Sequence, residues 1–470
     1  MKKRPILVAA LLLGCSTSPP QYLPPPFGPD GPSPTRLFFP TGLSKTNEGG
    51  LLVANGNFNH SYDAGTVVGI SRAFFDRVFG LRLDCGKEVP DPGCVQPFQE
   101  TDFTGAVMIG NYAGPLVMNA TGTAAYTGSR DTGTLNAVRV DALGLLHCAA
   151  GAGDDATKDC RKGLIDLVTA GVDGPYSIVA GDTVLPGTTT SLPVLFVSSI
   201  IPHIDAINSG SIFASTWVAA LDMADPSQML FTMRAGQTLD ATLGTAVGPM
   251  TFDGVRRQLY LSGCYQRSSA LGAGEPGTGL CVGSANNFLR IMNVDSKEAA
   301  ADPRLIDLHV NVLSTYTLQL LLADPDPVTG APGTLWATMR SPDALVRIDL
   351  PAEPSIDPHV RQVIPMPIAP ADMVRIDRGS ASALLAVVTE RRNGVVIVDT
   401  ATGEVVGVAD RLGDSPFMMQ EIPCPSDPLF TDSACLAVSV FGDCRIGLIE
   451  VPKSQPAQTK VRALAGSCPQ

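Results

Sequence analysis

The 470-residue sequence is poor in charged residues, poor in aromatic residues and short of basic residues. Charged residues make up 17% of the chain, and 33 Lys and Arg stand against 45 Asp and Glu. The resulting net charge of −12 argues against general affinity for nucleic acid or for anionic lipid headgroups. Beyond residue 15 no apolar run reaches the length of about 18 residues that a spanning helix needs. C-x-x-C pairs, a Walker motif, G-x-S-x-G and a dinucleotide glycine fingerprint placed after a strand are also missing, so nothing indicates a thiol zinc centre, a nucleotide site or a serine hydrolase.

The N-terminal residues have the layout of a secretory signal. Residues 1–4 are cationic and residues 6–13 are apolar, which is too short for a stable spanning anchor. The stretch ends in "LLGC", which resembles the lipobox of bacterial lipoproteins. That resemblance implies that residues 1–14 are removed and that Cys15 is acylated, with palmitate-type chains holding the protein at a bilayer. Ser16, where the enterobacterial sorting rule has Asp for inner-membrane retention, favours the outer membrane of a Gram-negative envelope.

A proline-rich segment separates the predicted anchor from the rest of the chain. Eight prolines occur in residues 16–35, which predicts a semi-rigid polyproline spacer after Cys15. Residues 36–470 then form the folded domain. Without the three basic residues of the signal, the chain keeps 30 basic and 45 acidic residues, so its net charge changes from −12 to −15.

The ten remaining cysteines predict disulfides, because their number is even and the expected compartment is oxidising. Neighbouring cysteines are the simplest partners, and such short loops would stabilise the fold by about 2–3 kcal/mol each. An alternative pairing near the C-terminus joins Cys435 to Cys444 and Cys424 to Cys468. The preferred pairs are Cys85–Cys94, Cys148–Cys160, Cys264–Cys281, Cys424–Cys435 and Cys444–Cys468.

The chain is rich in turn-forming residues, with 47 Gly and 39 Pro, and contains a sevenfold repeat. Each unit has a β-branched run, a polar or glycine-containing turn, and a second apolar run, which is a hairpin pattern. The hairpins begin at residues 51, 124, 195, 259, 335, 384 and 435. Only the last two spacings, 49 and 51 residues, approach a bare unit, so the surplus in the earlier units is predicted to form disulfide-stapled surface loops.

Two further strands complete each unit. A short apolar piece, marked by proline in six units, precedes the hairpin, as in "GPYSI" (174–178) and "APADMV" (369–374). A further strand follows it, as in residues 361–365, 403–410 and 460–466. Four strands repeated seven times predict an all-β fold, a seven-bladed β-propeller. The pattern, above all "LLAVVTERRNGVVIVDTATGEVVG" (384–407), resembles propellers of the YVTN and NHL-like class, a resemblance that implies the fold and hardly constrains activity.

The hairpin turns should all lie on one face of such a propeller, because each joins the second strand to the third. Four of these turns contain an arginine, which would suit a carboxylate or phosphate ligand at the pore mouth. Alternatively, each arginine pairs with an aspartate such as Asp131, Asp343 or Asp349. The candidate binding face comprises His60, Asp63, Arg130, Asp131, His203, Arg267, Arg340, Glu390 and Arg391.

The first hairpin turn is also a possible calcium loop. Asn57, Asn59 and Asp63 offer oxygen ligands at alternate positions, but only one of the three is charged and no bidentate Glu follows. The five histidines show no metal-binding spacing. The sequence therefore predicts no cofactor, with calcium as the alternative.

These features favour a membrane-anchored, monomeric binding scaffold without enzymatic activity. Its partner would be a protein, a glycan or a small anionic ligand on the turn face. The alternative is a hydrolase or lactonase of the periplasm or cell surface, whose candidate residues are His60, Arg130, His203, Glu390 and Arg391.

Overall fold

The computed structural model describes most of the predicted domain. Residues 1–36 lie outside the described part, and with them the signal, Cys15 and the spacer. The described residues are 37–149, 158–163, 165–185, 187–199, 203–208, 211–237, 243–267, 286–295, 304–307, 316–325, 328–340, 342–353, 356–367, 369–466 and 468.

Seven sheets, each built on four antiparallel strands that follow one another in sequence, form the seven blades of a β-propeller, as predicted. In each blade the first strand lies at the central channel and the fourth at the periphery. In this order, the strands are Pro40–Lys45, Leu51–Asn55, Gly65–Ile70 and Phe103–Ile109 in blade 1; Ala113–Met118, Ala124–Ser129, Thr134–Val140 and Leu146–Cys148 in blade 2; Pro175–Val184, Ser191–Ser199, Ser211–Asp222 and Met229–Gln237 in blade 3; Leu243–Asp253, Gln258–Arg267, Asn286–Asn293 and Arg304–Asp307 in blade 4; Tyr316–Pro325, Pro332–Arg340, Ala344–Asp349 and His359–Pro365 in blade 5; Pro370–Ile376, Leu384–Thr389, Gly394–Asp399 and Val405–Ala409 in blade 6; and Pro416–Ile422, Ser433–Val440, Arg445–Pro452 and Lys460–Ala465 in blade 7.

A few elements lie outside this four-strand plan. Short strands Ile165–Asp166, His203–Asn208 and Val95–Gln96 extend blades 2, 3 and 7. Helix α1 (Arg72–Gly80) begins after Ser71, whose hydroxyl accepts the N–H of Phe74. Short 3₁₀ turns are Glu100–Asp102, Cys160–Gly163, Val168–Ala170, Glu390–Arg392, Pro428–Phe430 and Pro456–Gln458.

The middle strands of the blades are apolar along their whole length rather than at alternate positions. In blade 6 every residue of Leu384–Thr389 is buried. Such a strand is covered by a neighbouring blade on each face, so both sets of alternating side chains enter a core. This is why the sequence shows continuous β-branched runs where a sheet with one exposed face would alternate.

One aliphatic side chain per blade, at an equivalent register on the innermost strand, packs around the axis. Each is at most 5% exposed and joins the core shared with the preceding blade. The core between blades 7 and 1 closes the ring, since Leu43 belongs to one hydrophobic cluster with Ala437 and Leu448. We call these residues the axial ring: Leu43, Leu116, Ile178, Met250, Leu320, Met373 and Met419.

Every innermost strand is irregular, with a register shift against the second strand in all seven blades. Proline lacks an N–H and is tolerated at such bulges and strand starts. In four blades the residue that leads into this strand has positive φ, and its carbonyl accepts the N–H of a residue at the end of the second strand. The N–H of Gly56 donates to Phe39 O, that of Arg130 to Tyr112 O, that of Glu390 to Ala369 O, and that of Phe441 to Ser415 O.

Residues 71–102, between the third and fourth strands of blade 1, form an arm that crosses onto blade 7. The N–H of Cys85 donates to Val461 O (2.8 Å), and the N–H of Leu464 donates to Cys94 O (2.9 Å). The guanidinium of Arg462 donates to the carbonyls of Arg82 and Leu83. This segment was predicted as a surface loop; instead it contains helix α1 and links the first blade to the last.

The cysteine pairs follow the prediction wherever they are described. Four disulfides join neighbouring cysteines, so the alternative pairing of Cys435 with Cys444 and Cys424 with Cys468 is wrong. The predicted Cys264–Cys281 bridge lies outside the described residues, because Cys281 and the side chain of Cys264 are not described. The four disulfides are Cys85–Cys94, Cys148–Cys160, Cys424–Cys435 and Cys444–Cys468.

Candidate functional site

The central channel contains a cavity of about 340 Å³, to which all seven innermost strands contribute. The innermost strands begin at one end of it, on the side where the turns between second and third strands lie, and Arg130 of the blade 2 turn lines the cavity there. We call this end the channel mouth. Two of its turns touch directly, since the ring of Phe58 (blade 1) lies 5.3 Å from that of Phe441 (blade 7). These contacts bring together turns far apart in sequence.

Arg130, at the start of the blade 2 turn, lines the cavity at the channel mouth. Its guanidinium carbon lies 5.3 Å from the ring centre of Phe58 and 5.7 Å from that of Tyr176, so the cation sits near aromatic rings of two neighbouring blades. Its Nε is buried without a hydrogen-bond partner. No described carboxylate forms an ion pair with it. Burial lowers the pKa of Arg130, although an arginine remains charged at neutral pH.

Asp131 is adjacent in sequence but does not neutralise Arg130. Burial raises the pKa of Asp131 above its ordinary value, against weaker lowering by hydrogen bonds from Asn111 and Thr132. A carboxylate paired with a guanidinium would show the opposite direction. No ion pair joins Arg130 to Asp131, so the alternative in which each turn arginine pairs with an aspartate is wrong for Arg130, whose positive charge lines the cavity without a described carboxylate partner.

An aromatic row runs along the channel mouth from blade 7 to blade 2. Phe39 lies 5.1 Å from Phe441, and Phe58 lies 4.9 Å from Tyr112, measured between ring centres. His60 continues the row, since its Nε2 is 2.9 Å from the hydroxyl of Tyr112. All five rings are only partly buried, so they present apolar surface at the mouth. His60 has positive φ, the left-handed backbone conformation that is common in turns.

The other predicted arginines have different surroundings. Arg340 of blade 5 is bound to Glu390 of blade 6, which is the structural pairing weighed above, with a partner from the next blade instead of Asp343 or Asp349. Arg391 is exposed. The side chain of Arg267 lies outside the described residues. The described side chains therefore do not form the predicted ring of arginines. Among them, Arg130 is the unpaired cation in the cavity wall.

The remaining polar candidates are engaged in local contacts. The Nδ1 of His203 lies 3.0 Å from a carboxylate oxygen of Asp173, in the link that enters blade 3. Asp63 forms an ion pair with Arg161 at 3.5 Å. The Asp63 contact joins loops of blades 1 and 2, the His203 contact joins the blade 3 hairpin to the link that enters the same blade, and neither contact includes Arg130.

The predicted calcium ligands are used within their own turn. The amide of Asn57 donates to Tyr62 O and to the side-chain oxygen of Asn111, while its own oxygen accepts the N–H of Tyr62. Asn59 accepts the N–H of Ser61. Across the part of the chain that the structure describes, no group of three or more His, Cys, Asp or Glu side chains could hold a metal ion.

Asp372 is a buried carboxylate of the cavity wall that sequence reasoning missed. It is 4% exposed and accepts hydrogen bonds from Met373 N (2.8 Å), Met419 N (2.7 Å) and the Gln319 amide (3.0 Å). Burial dominates and raises the pKa of Asp372 to about 6. The sequence did contain a signal for it. Asp372 lies in the proline-marked segment "APADMV", and the matching position in the other six blades has no acidic residue.

Phe58, Tyr112, Tyr176 and Phe441 were also missed as site residues. Each lies in a turn or at the start of an innermost strand, where a large aromatic residue has no place in the blade core. That combination of residue type and position would have identified them.

Within the described residues, no helix has both the length and the apolar character needed to cross a bilayer.

The sequence matches no protein-family model and no curated protein. The fold is similar to a solved structure of Kuenenia stuttgartiensis hydrazine synthase, with a TM-score of 0.51 and 10% identity over 90% of this chain and 99% of that one. The Pseudomonas aeruginosa periplasmic gluconolactonase PpgL has a TM-score of 0.48 and 11% identity over 89% and 96%. Saccharomyces cerevisiae Sqt1 has a TM-score of 0.47 and 10% identity over 92% and 87%. At such identities the likeness to the hydrazine synthase concerns the fold alone, and that fold is the seven-bladed propeller.

Proposed function

We propose that the protein is a lipid-anchored binding protein of the bacterial envelope whose channel mouth takes a small anionic ligand. The observation that carries this proposal is the guanidinium of Arg130, which lines a cavity, has a buried Nε without a partner and pairs with no described acid. A buried cation without a counter-ion is costly, and a carboxylate or phosphate that forms charge-assisted hydrogen bonds with it removes that cost. The chain has a net charge of −12, so Arg130 is a local positive centre in an acidic protein, and anions are attracted to this centre rather than to the rest of the surface.

Anion titration tests the binding site. The full chain carrying Cys15→Ser, which lacks acyl chains, is titrated with acetate and with inorganic phosphate by calorimetry at neutral pH. Arg130→Met keeps the length of the side chain without its charge and should weaken binding at least about tenfold, because hydrogen bonds to charged groups contribute about 1.5–3 kcal/mol. Arg391→Met is the matched control, since that arginine is exposed on the same face. Equal binding by the wild-type residue and Arg130→Met contradicts the proposed site.

The same samples discriminate the hydrolase alternative. Hydrolysis of a lactone by the purified chain, lost in Arg130→Met and retained in Arg391→Met, would make the site catalytic. Binding without turnover supports the scaffold. A monomer should bind one anion per chain.

The anchor rests on the "LLGC" resemblance and on the proline-rich spacer that follows Cys15. Several acyl chains, at about 0.8 kcal/mol per buried methylene, hold a protein at a bilayer without a spanning helix. In a Gram-negative host fed an alkyne-tagged palmitate, the natural sequence should be labelled and should fractionate with the outer membrane. Cys15→Ser should abolish labelling and release the protein from the membrane fraction. A labelled Cys15→Ser protein contradicts lipidation at this residue.

A further inference from the structure

The channel below Arg130 is a bounded space with a size suited to a small molecule. Its volume of about 340 Å³ lies near the lower end of the range for ligand pockets, about 300–1,000 Å³. Residues of all seven blades line it, so the walls belong to the rigid inner sheet edges rather than to loops. A ligand held by Arg130 at the mouth therefore has room for a body that extends along the axis.

The wall beneath the mouth is mainly apolar, although Gln420 of blade 7 also lines it. One residue beyond the axial ring, the strands present Val117, Val179, Thr251 and Val374, all partly exposed where the axial ring is buried. Together with Phe417 and Met418, these side chains offer methyl and aromatic surface to an occupant. Burial of apolar ligand surface against such walls is favourable in proportion to the area removed from water.

Charge is confined to two residues of the lining. Arg130 is at the mouth, and Asp372 is the other. Asp372 is 4% exposed and its oxygens already accept three hydrogen bonds, so it offers little to a ligand and would repel a second carboxylate. The lining thus has one accessible cation and a mainly apolar body whose other polar members are uncharged, which fits a single terminal negative charge; those members are Thr41, Ser177, Thr251, Gln319 and Gln420.

We infer that the anion bound by Arg130 is an amphiphilic monocarboxylate whose apolar tail occupies the channel. This rests on the proposed function and specifies its ligand class. One guanidinium matches one carboxylate in a bidentate geometry. The ring of Tyr176, which lines the cavity beside Arg130, contacts the first carbons of the tail, and the valines beyond the axial ring contact the rest. Ligands with a second charge at the far end are excluded by the apolar wall.

A chain-length series tests the inference in the full chain carrying Cys15→Ser. Acetate, butanoate, hexanoate and octanoate are titrated below their critical micelle concentrations, with 1-hexanol as the uncharged control. Affinity should rise about fourfold per added methylene until the channel is full, and hexanol should bind at least about tenfold more weakly than hexanoate. Excess acetate should displace hexanoate, because both use Arg130.

Two variants locate the tail. Val179→Trp fills the channel from blade 3 and Val374→Trp fills it from blade 6; either should abolish the chain-length gain while acetate still binds. If a tryptophan variant fails to fold, the chain-length series on the protein with the natural channel residues still tests whether an apolar tail contributes to binding. A flat series with Arg130-dependent acetate binding overturns the tail and keeps the anion site. Binding of every acid unaffected by Arg130→Met overturns both, and a chain-length gain that survives both tryptophans places the tail outside the channel and overturns the inference.

Discussion

Asp372 illustrates how register decides what a channel residue does. It occupies the position just before the axial ring, where blade 3 carries Ser177. Ser177 Oγ accepts the N–H of Met250 at 3.1 Å, and Asp372 accepts the N–H of Met419 at 2.7 Å. In both cases the side chain satisfies the axial-ring amide of the next blade, at a bulge where the ladder leaves it unpaired. Asp372 is therefore a structural acceptor between blades.

The burial of Asp372 predicts a stability that falls as pH rises. Its pKa of about 6 in the folded protein exceeds the ordinary value of 3.8, so the folded state holds the proton more tightly than the unfolded state. Stabilisation from the protonated carboxyl is then present at acidic pH and lost between about pH 4 and 6. Asp372→Asn keeps an acceptor for Met419 and does not titrate. Relative to this variant, the wild-type free energy of unfolding should fall by about 2–3 kcal/mol from pH 4 to pH 7.

Denaturant titrations of the two proteins at half-unit pH steps measure this difference directly. Other carboxylates titrate in both proteins and cancel in the comparison. Two parallel pH profiles would show that Asp372 ionises as a solvent-exposed aspartate does, and its assigned role between blades 6 and 7 would be wrong.

At the scale of elements, the inner strands and hairpins could be predicted from sequence. Continuous apolar runs such as Leu384–Thr389 and Gly394–Asp399 have the length of strands, and the turn between them contains Asn393 with positive φ, a conformation that asparagine tolerates. In six blades a proline at the bulge of the inner strand marked the start of the blade. Local propensity and tertiary packing agree at these places, so the pattern alone was sufficient.

The contacts between blades could not be predicted in this way. Arg340 and Glu390 are fifty residues apart, and the aspartates nearest to Arg340 in sequence were the expected partners. Asp343 instead accepts the N–H of Ala369, and Asp349 pairs with Arg361. Sequence spacing specifies neighbours within a hairpin, whereas the angle and twist of successive sheets decide which turns meet. The same limit hid the contact of Phe58 with Arg130, and with it the ligand site.

At the scale of the whole molecule, the ring is closed by an arm rather than by an exchanged blade strand. Each blade takes its four strands from one continuous stretch, so blades 1 and 7 are joined by packing and by residues 71–102. Within this arm, Val95–Gln96 pairs in parallel with Leu464–Ala465 at the outer edge of blade 7. Arg462 is bound to Glu450 in blade 7 and to two arm carbonyls, so one side chain connects the closing elements.

The Cys85–Cys94 disulfide should control the stability of this closure. Replacing both cysteines by serine frees an arm segment that hydrogen-bonds strand Lys460–Ala465, and the chain-entropy model gives a loss of about 3 kcal/mol. Cys148→Ser with Cys160→Ser is the matched control, because its loop is of similar length (12 against 9 residues). Both variants should lose similar global stability. Amide hydrogen exchange in Lys460–Ala465 should accelerate only in the Cys85/Cys94 variant, whereas equal protection of this strand in both variants would mean that the arm does not hold the ring closed.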